Sequence, residues 1–211
     1  MNKNEILEKT MLAAPVIPVV VINDVKKAIG LAKALVAGGL PAIEITLRTP
    51  NALDCIRAVA QEVEGAIAGA GTVLDIAQMK AVEAAGAKFM VSPGTAPKLL
   101  DAADDSPVAL LPGAATASEM MQLGERGYTY LKFFPAEAAG GANYLKSISS
   151  PLPQFKICPT GGVSLSNAAH YLALPNVLCV GGSWVAPGGL IENEYWSEIT
   201  KLAKEAAQLA R

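Results

Sequence analysis

Apolar residues recur along the chain in short runs of six to eight positions, and stretches with a wider apolar spacing separate these runs. Short apolar runs bounded by proline, glycine or polar residues are typical of buried parallel strands. The pattern predicts eight strands, at residues 15–22, 42–47, 66–71, 88–93, 108–113, 128–134, 155–160 and 177–182.

The segments between these runs have the apolar spacing and the end signals of helices. Asp24, Asn51 and Asp75 stand where N-cap residues are expected. Helices are predicted over residues 2–13, 24–39, 51–65, 75–87, 116–127 and 194–210.

Eight strands alternating with helices predict an α/β fold, a (β/α)8 TIM barrel with an extra N-terminal helix. An open doubly wound sheet shows the same alternation, but eight evenly spaced strands favour the closed barrel. The stretch GAGTVL (69–74) resembles half of a dinucleotide fingerprint and lacks its third glycine. Because no linker-like stretch divides the chain, residues 1–211 are predicted to form a single domain.

The composition narrows the class of protein. Hydrophobic residues make up 52% of the 211 residues and charged residues 17%, which indicates a globular chain. The net charge of −2 provides no general attraction for phosphate backbones or anionic lipid surfaces. We therefore expect neither a nucleic-acid partner nor a membrane partner.

The N-terminal segment and the cysteines indicate a cytoplasmic location. Glu5 and Pro15 do not fit the basic and apolar regions of a signal peptide. Cys55, Cys158 and Cys179 form no C-x-x-C pair, and we interpret them as buried thiols of a reducing compartment.

Glycine pairs follow the predicted seventh and eighth strands. In TIM barrels a phosphate site is frequently built by the loops after these two strands. Glycine lets the backbone approach an anion closely, so that N–H groups can donate to it. The sequence therefore predicts a phosphate site formed by Thr160, Gly161, Gly162, Gly181, Gly182 and Ser183.

Charged residues within apolar strands mark the other part of the predicted site. Because side chains alternate along a strand, Lys132 shares a face with Tyr130 and Phe134, opposite Leu131 and Phe133. We expect the latter pair to pack against helices, which directs Lys132 into the barrel.

The same alternation in the second strand directs Glu44 and Thr46 inward, and Arg48 as well if the strand continues. Thr72 and Pro93 stand at the ends of the third and fourth strands. A buried Lys–Glu pair contributes little net stability, so a pair at the strand ends of a barrel favours a functional role.

These residue types permit a limited chemistry. A neutral lysine amine attacks a ketone to form a Schiff base, and dry aromatic surroundings favour the neutral amine. Glu44 can carry protons, and Arg48 suits bidentate binding of a carboxylate. No cofactor is expected, and a metal is not expected because the single histidine, His170, falls in the helix that would follow the seventh strand. The residues thus predict a Schiff-base lyase acting on a small phosphorylated keto acid.

Several stretches then indicate a family: GGLPAIEITLRT (38–49), GAGTVL (69–74), FMVSPG (89–94), LKFFPAE (131–137), CPTGGV (158–163) and VLCVGGSW (177–184). They resemble, in order along nearly the whole chain, the family of 2-keto-3-deoxy-6-phosphogluconate (KDPG) and 2-keto-4-hydroxyglutarate (KHG) aldolases.

The resemblance implies that Lys132 forms the Schiff base and that Glu44 is the general acid and base. It implies that Arg48 and Thr72 bind the pyruvyl carboxylate, and that Pro93 and Phe134 line the pocket. The two glycine-rich loops would hold the phosphate. It further implies a homotrimer and the Entner–Doudoroff reaction, cleavage to pyruvate and glyceraldehyde 3-phosphate. It assigns no role to Glu137 of the matching FPAE stretch.

Three other functions remain open from the sequence. The first is the same chemistry on another substrate, either the 6-phosphogalactonate epimer or hydroxyglutarate. The second is a phosphate-binding barrel isomerase or epimerase that forms no covalent intermediate. The third is a non-catalytic sensor of sugar phosphates.

Overall fold

The computed structural model describes residues 2–210. The strands within this range are β1 Val16–Val20, β2 Ala42–Thr46, β3 Ile67–Gly71, β4 Phe89–Val91, β5 Ala109–Leu111, β6 Gly113–Ala114, β7 Tyr130–Phe133, β8 Lys156–Pro159 and β9 Val180–Gly182. The helices are α1 Lys3–Leu12, α2 Val25–Ala37, α3 Ala52–Glu62, α4 Ile76–Ala84, α5 Pro97–Asp105, α6 Ala117–Glu125, α7 Gly141–Ile148, α8 Leu165–Leu172, α9 Gly188–Glu192 and α10 Trp196–Ala207.

The strands form two parallel sheets covered by helices, which makes this an α/β fold. The larger sheet has the order β5-β4-β3-β2-β1-β9 and the smaller one β6-β7-β8. Only Pro112 separates β5 from β6, and isolated parallel bridges join Ile157 to Val177 and Thr160 to Gly181.

The predicted fifth strand, 108–113, is therefore present as two shorter strands. Proline has no N–H and cannot donate to a sheet ladder, so regular pairing is interrupted at Pro112. The chain changes pairing partner at this residue, since β5 pairs with β4 and β6 pairs with β7.

Two apolar clusters lie on opposite sides of the sheets and confirm the predicted alternation. Ile43 and Ile45 of β2 belong to the larger cluster, which also contains the buried residues of the surrounding helices. Ala42, two positions before Glu44, belongs to the smaller cluster, and Tyr130, two positions before Lys132, packs against it. Glu44 and Lys132 thus point to the side of the sheets that is away from the helical layer.

Helix α1 packs against the beginning of several strands. Its Leu7 and Met11 are buried in the smaller cluster beside Phe89 and Ala109, the first residues of β4 and β5. Lys3 Nζ also donates to two carbonyl oxygens at the end of α5, where the helix dipole favours a cation. The apolar interior is therefore covered at the N-terminal ends of the strands, opposite the ends at which the catalytic residues are predicted.

The predicted helix starts are confirmed at all three positions, although only two of the side chains cap their helix. The carboxylates of Asp24 and Asp75 accept hydrogen bonds from backbone N–H groups in the first turns of α2 and α4. Asn51 precedes α3, but its side chain donates to the Asn23 carbonyl and caps no helical N–H. Among residues 2–210, no helix combines the length and the apolar character needed to cross a bilayer.

Candidate active site

A cavity of about 410 Å³ opens at the C-terminal ends of the strands. Its walls contain all twelve residues that the sequence nominated, from Glu44 on β2 to Ser183 after β9. Three valines that the sequence did not nominate also line it, namely Val19, Val21 and Val163. The structure thus brings the nominated residues together, and their individual roles stay predictions.

Lys132 and Glu44 form an ion pair inside this cavity. Lys132 Nζ lies 3.1 Å from Glu44 Oε1, and the two side chains are only 7% and 5% exposed. The ring centroid of Phe134 lies 5.4 Å from the same nitrogen, which places an aromatic face beside the cation. Desolvation offsets most of the attraction in a buried pair, so stability alone does not account for it.

Small neighbours make room for these two side chains. In the sheet ladder Lys132 stands between Gly113 of β6 and Cys158 of β8. On β3, an added Cβ at Gly71 would lie 2.2 Å from Glu44 Oε1, so only glycine leaves the carboxylate in its present position. Gly71, the second glycine of GAGTVL, therefore has a steric role that is unrelated to dinucleotide binding.

Arg48 reaches the cavity by a different route from the one predicted. Strand β2 ends at Thr46, and residues 47 and 48 form a turn, yet Arg48 still lines the cavity. Thr46, which the alternation directs inward, does not line the cavity. Its hydroxyl donates to the Val20 carbonyl at 2.9 Å, and the buried side chain stays outside the cavity wall.

Thr72 has a strained backbone. Its φ of 59° lies in the left-handed region, which is a genuine outlier for a β-branched residue. Thr72 directly follows β3 and lines the cavity together with Arg48. Such strain persists where the surrounding structure imposes it, and it concentrates at functional sites.

The two glycine-rich loops lie side by side on the cavity wall. Gly161 and Gly162 have φ values of 100° and 79°, which L residues rarely adopt. A parallel bridge joins Thr160 to Gly181, and an added Cβ at Gly181 would lie 2.2 Å from Thr160 Oγ1. Glycine is thus required in both loops, once for its dihedral freedom and once for close packing.

Val19 and Val21 of the cavity wall carry no sequence signal that separates them from core residues. Val19 shares a strand face with Ile17 of the smaller apolar cluster and stands opposite Glu44 in the ladder between β1 and β2. Because residues 15–22 are apolar on both faces, their alternation carries no contrast between cavity and core.

Among residues 2–210, no group of three or more histidine, cysteine, aspartate or glutamate side chains is arranged to hold a metal ion. His170 lies on α8 and is exposed, outside the cavity wall.

Comparisons with known proteins agree with this geometry. Residues 7–202 match the family model described as "KDPG and KHG aldolase". A 2-dehydro-3-deoxy-phosphogluconate aldolase of Pseudoalteromonas atlantica is 54% identical over 91% of this chain and 89% of its own length.

Two solved structures are similar over almost the whole chain. The KDPG aldolase of Legionella pneumophila, with pyruvate captured as a covalent carbinolamine, is 46% identical with a TM-score of 0.93 over 96% of this chain and 98% of its own. The aldolase of Zymomonas mobilis with 3-phosphoglycerate is 46% identical with a TM-score of 0.92, covering 97% and 96% of the two chains. Sequence and structure together show that the chain belongs to the KDPG and KHG aldolase family.

Proposed function

We propose that this chain is a class I aldolase that reversibly cleaves KDPG to pyruvate and glyceraldehyde 3-phosphate. The observation that carries the proposal is the buried contact between Lys132 Nζ and Glu44 Oε1. It puts a nucleophilic amine and a proton carrier within one hydrogen bond of each other, inside a cavity with glycine-rich loops on its wall. The names of the P. atlantica, L. pneumophila and Z. mobilis proteins support the same activity.

The reaction begins at the ketone. Glu44 takes a proton from the Lys132 ammonium, and the free amine attacks C2 of the keto acid to form a carbinolamine. Glu44 then gives its proton to the carbinolamine hydroxyl, which leaves as water, so that a protonated imine and the Glu44 carboxylate remain. Glu44 then removes the proton of the C4 hydroxyl, the C3–C4 bond breaks, and its electron pair moves to the imine to leave an enamine. The aldehyde fragment departs at this stage.

The second half of the cycle reverses the proton transfers. Glu44 returns a proton to C3 of the enamine, which gives the imine of pyruvate, and water then hydrolyses this imine to release pyruvate and Lys132. Thr72 and Arg48 bind the pyruvyl carboxylate. Arg48 is suited to this role because its guanidinium can donate two parallel hydrogen bonds to a carboxylate. Pro93 and Phe134 cover the apolar side of the reacting carbons.

The phosphate at the far end binds between the two loops, at Thr160, Gly161, Gly162, Gly181, Gly182 and Ser183. Backbone N–H groups supply most of the donors there, which suits an anion without burying a second charged side chain. Cleavage of 4-hydroxy-2-oxoglutarate to pyruvate and glyoxylate uses the same lysine chemistry, and the family description supports it as a second activity.

Reductive trapping tests the covalent step. With pyruvate and borohydride, we expect a pyruvate adduct mass on the peptide that contains Lys132, and no adduct with Lys132→Ala. Lys132→Ala should also abolish cleavage while leaving the affinity for inorganic phosphate within about threefold, since the loops keep their backbone. Cleavage that survives in Lys132→Ala would rule out the imine mechanism, whereas an active parent that forms no adduct would favour the isomerase alternative.

Product identification with both epimeric phosphorylated keto acids tests the substrate. We expect pyruvate and glyceraldehyde 3-phosphate from the gluconate epimer at the higher kcat/KM. Preference for the galactonate epimer would overturn the substrate while leaving the chemistry intact.

We further propose that residues 1–211 form one domain in which the two sheets close into a single (β/α)8 barrel. The single residue between β5 and β6 and the bridges from β8 toward β9 support this closure. A homotrimer is proposed from the family resemblance, and a sedimentation mass of three 21.8 kDa chains would agree with it. Burial of Cys55 and Cys158 fits a reducing cytoplasm.

A further inference from the structure

The loop after β8, residues 160–163, is held by hydrogen bonds that its carbonyl oxygens accept from residues outside the cavity. Three successive carbonyls accept hydrogen bonds: Thr160 O from Ala136 N at 2.8 Å, Gly161 O from Glu137 N at 3.0 Å, and Gly162 O from Asn167 Nδ2 at 3.1 Å. The donor residues do not line the cavity, whereas the loop residues do.

These bonds determine where the N–H groups of the loop point. In a trans peptide the C=O of one residue and the N–H of the next point in opposite directions. With the three carbonyls bound outside, the N–H groups of Gly161, Gly162 and Val163 are turned toward the cavity. Within residues 2–210 these three groups have no protein acceptor.

Glu137 contributes more to this loop than its backbone N–H. An added Cβ at Gly162 would lie 2.6 Å from Glu137 Cγ, so the stem of the glutamate covers the glycine directly. The carboxylate oxygen Oε1 accepts a hydrogen bond from the hydroxyl of Tyr171. Tyr171 is only 1% exposed and belongs to α8, the helix that begins just after the loop.

The Glu137–Tyr171 contact therefore joins the two chain segments on either side of the loop. One segment follows the strand of Lys132, and the other is the helix that leaves the loop. A carboxylate repels a phosphate, so Glu137 is unsuited to bind the substrate's anion itself. Its contacts instead restrict the path of Gly162.

We propose that Glu137 is a positioning residue that, through Tyr171 and Gly162, holds the N–H groups of residues 161–163 in place for the substrate phosphate. This inference rests on the proposed function for the identity of the ligand. The alternative is that Glu137 only stabilises the fold, and a comparison of substrates with and without phosphate separates the two.

The test uses Glu137→Ala, Glu137→Gln and Tyr171→Phe, with the exposed Glu125 of α6 replaced by alanine as a matched control. Each is assayed with KDPG, with the same keto acid lacking its phosphate, and for exchange of the pyruvate methyl protons. Calorimetric binding of inorganic phosphate measures the loop without any catalytic step.

We expect Glu137→Ala to raise KM for KDPG and the Kd for inorganic phosphate by about tenfold. The variant loses both the charge-assisted hydrogen bond with Tyr171 and the side-chain stem that packs over Gly162. Glu137→Gln keeps an acceptor for Tyr171 and should stay within about threefold of the parent. Glu125→Ala should stay within about twofold in every assay. Pyruvate exchange and turnover of the dephosphorylated acid should not change in any variant.

An equal loss on both keto acids, or no loss on either, would overturn the positioning role. Tyr171→Phe, which keeps the buried ring, should reproduce the selective loss, and adding it to Glu137→Ala should have no further effect. Failure of the proposed function would look different, because the parent itself would then give no pyruvate adduct at Lys132 while phosphate binding could still be measured.

Discussion

Gly71 on β3 lies so close to Glu44 that a methyl group at its Cα would come within 2.2 Å of the carboxylate oxygen Oε1. The position of the Glu44 carboxylate thus depends on the absence of a side chain on the neighbouring strand. Because Glu44 in turn contacts Lys132, this glycine affects the geometry of both side chains.

Gly71→Ala should displace the Glu44 carboxylate without removing it. We expect kcat for cleavage to fall by about 10²-fold, the lower end of what positioned acid–base catalysis contributes. Borohydride trapping of pyruvate on Lys132 should persist. Gly189→Ala on α9 is the control, since its Cβ meets no atom within 4 Å. Unchanged kcat in Gly71→Ala would show that the carboxylate can move without consequence.

Glu44→Gln keeps a hydrogen-bond acceptor beside Lys132 and removes the ability to carry a proton. Exchange of the pyruvate methyl protons with D2O should slow by about 10²–10⁴-fold. Proton NMR of pyruvate measures this rate directly, and circular dichroism checks that the variant remains folded. Exchange at the parent rate would exclude Glu44 as the proton carrier.

Thr72→Gly should change stability and activity in opposite directions. Glycine accepts a φ of 59° at no steric cost, so the free energy of unfolding should rise by about 1 kcal/mol. The loss of the hydroxyl should raise KM for pyruvate in the exchange reaction by about tenfold. Thr72→Ser, which keeps the hydroxyl, should retain most of the pyruvate affinity. A Thr72→Gly variant that is less stable than the parent would contradict the inference that the Thr72 backbone is strained.

Tyr128 predicts how stability changes at alkaline pH. Burial, assisted by the nearby Asp104 carboxylate, raises the pKa of this phenol from 10.0 to about 12. Between pH 10 and 12 the unfolded chain releases the proton while the folded chain keeps it. The contribution of Tyr128 to stability is therefore complete below pH 10 and is lost as the pH rises through this window.

Urea unfolding at pH 8 and pH 11 measures this loss. The parent should lose more free energy of unfolding between the two values than Tyr128→Phe, which has no phenolic proton. From pH 7 to pH 8 the two proteins should change in parallel. Equal losses up to pH 11 would contradict the raised pKa.

Alternation along two strands was sufficient to place Lys132 and Glu44 in one cavity, because each strand has an apolar face that contrasts with its charge. The same rule does not decide which of the following inward residues line the cavity. Thr46 follows the alternation, but its hydroxyl binds a neighbouring carbonyl, and Arg48 reaches the cavity from a turn. Side chains alternate between faces only within a strand, and the sequence does not show to within two residues where β2 ends.

Contacts between distant segments could not be predicted from the sequence. The hydrogen bond between Tyr171 and Glu137 joins residues 34 positions apart on a strand-end loop and a helix. The division of the fifth strand is different, since the proline that causes it was visible at position 112. The sequence does not show that the two halves of this segment pair with different strands, β4 and β7, and only the folded sheets show it.

Three consecutive carbonyls of the loop after β8 accept hydrogen bonds from residues outside the cavity. This arrangement affects how the protein could acquire a new specificity. Where a phosphate binds mainly to amide groups, as proposed here, neighbouring side chains affect its recognition chiefly through the path of the main chain. Redirecting the enzyme to a neutral or cationic tail would therefore require a loop of different length or path. In this part of the molecule, the proposed selectivity depends on the shape of the main chain.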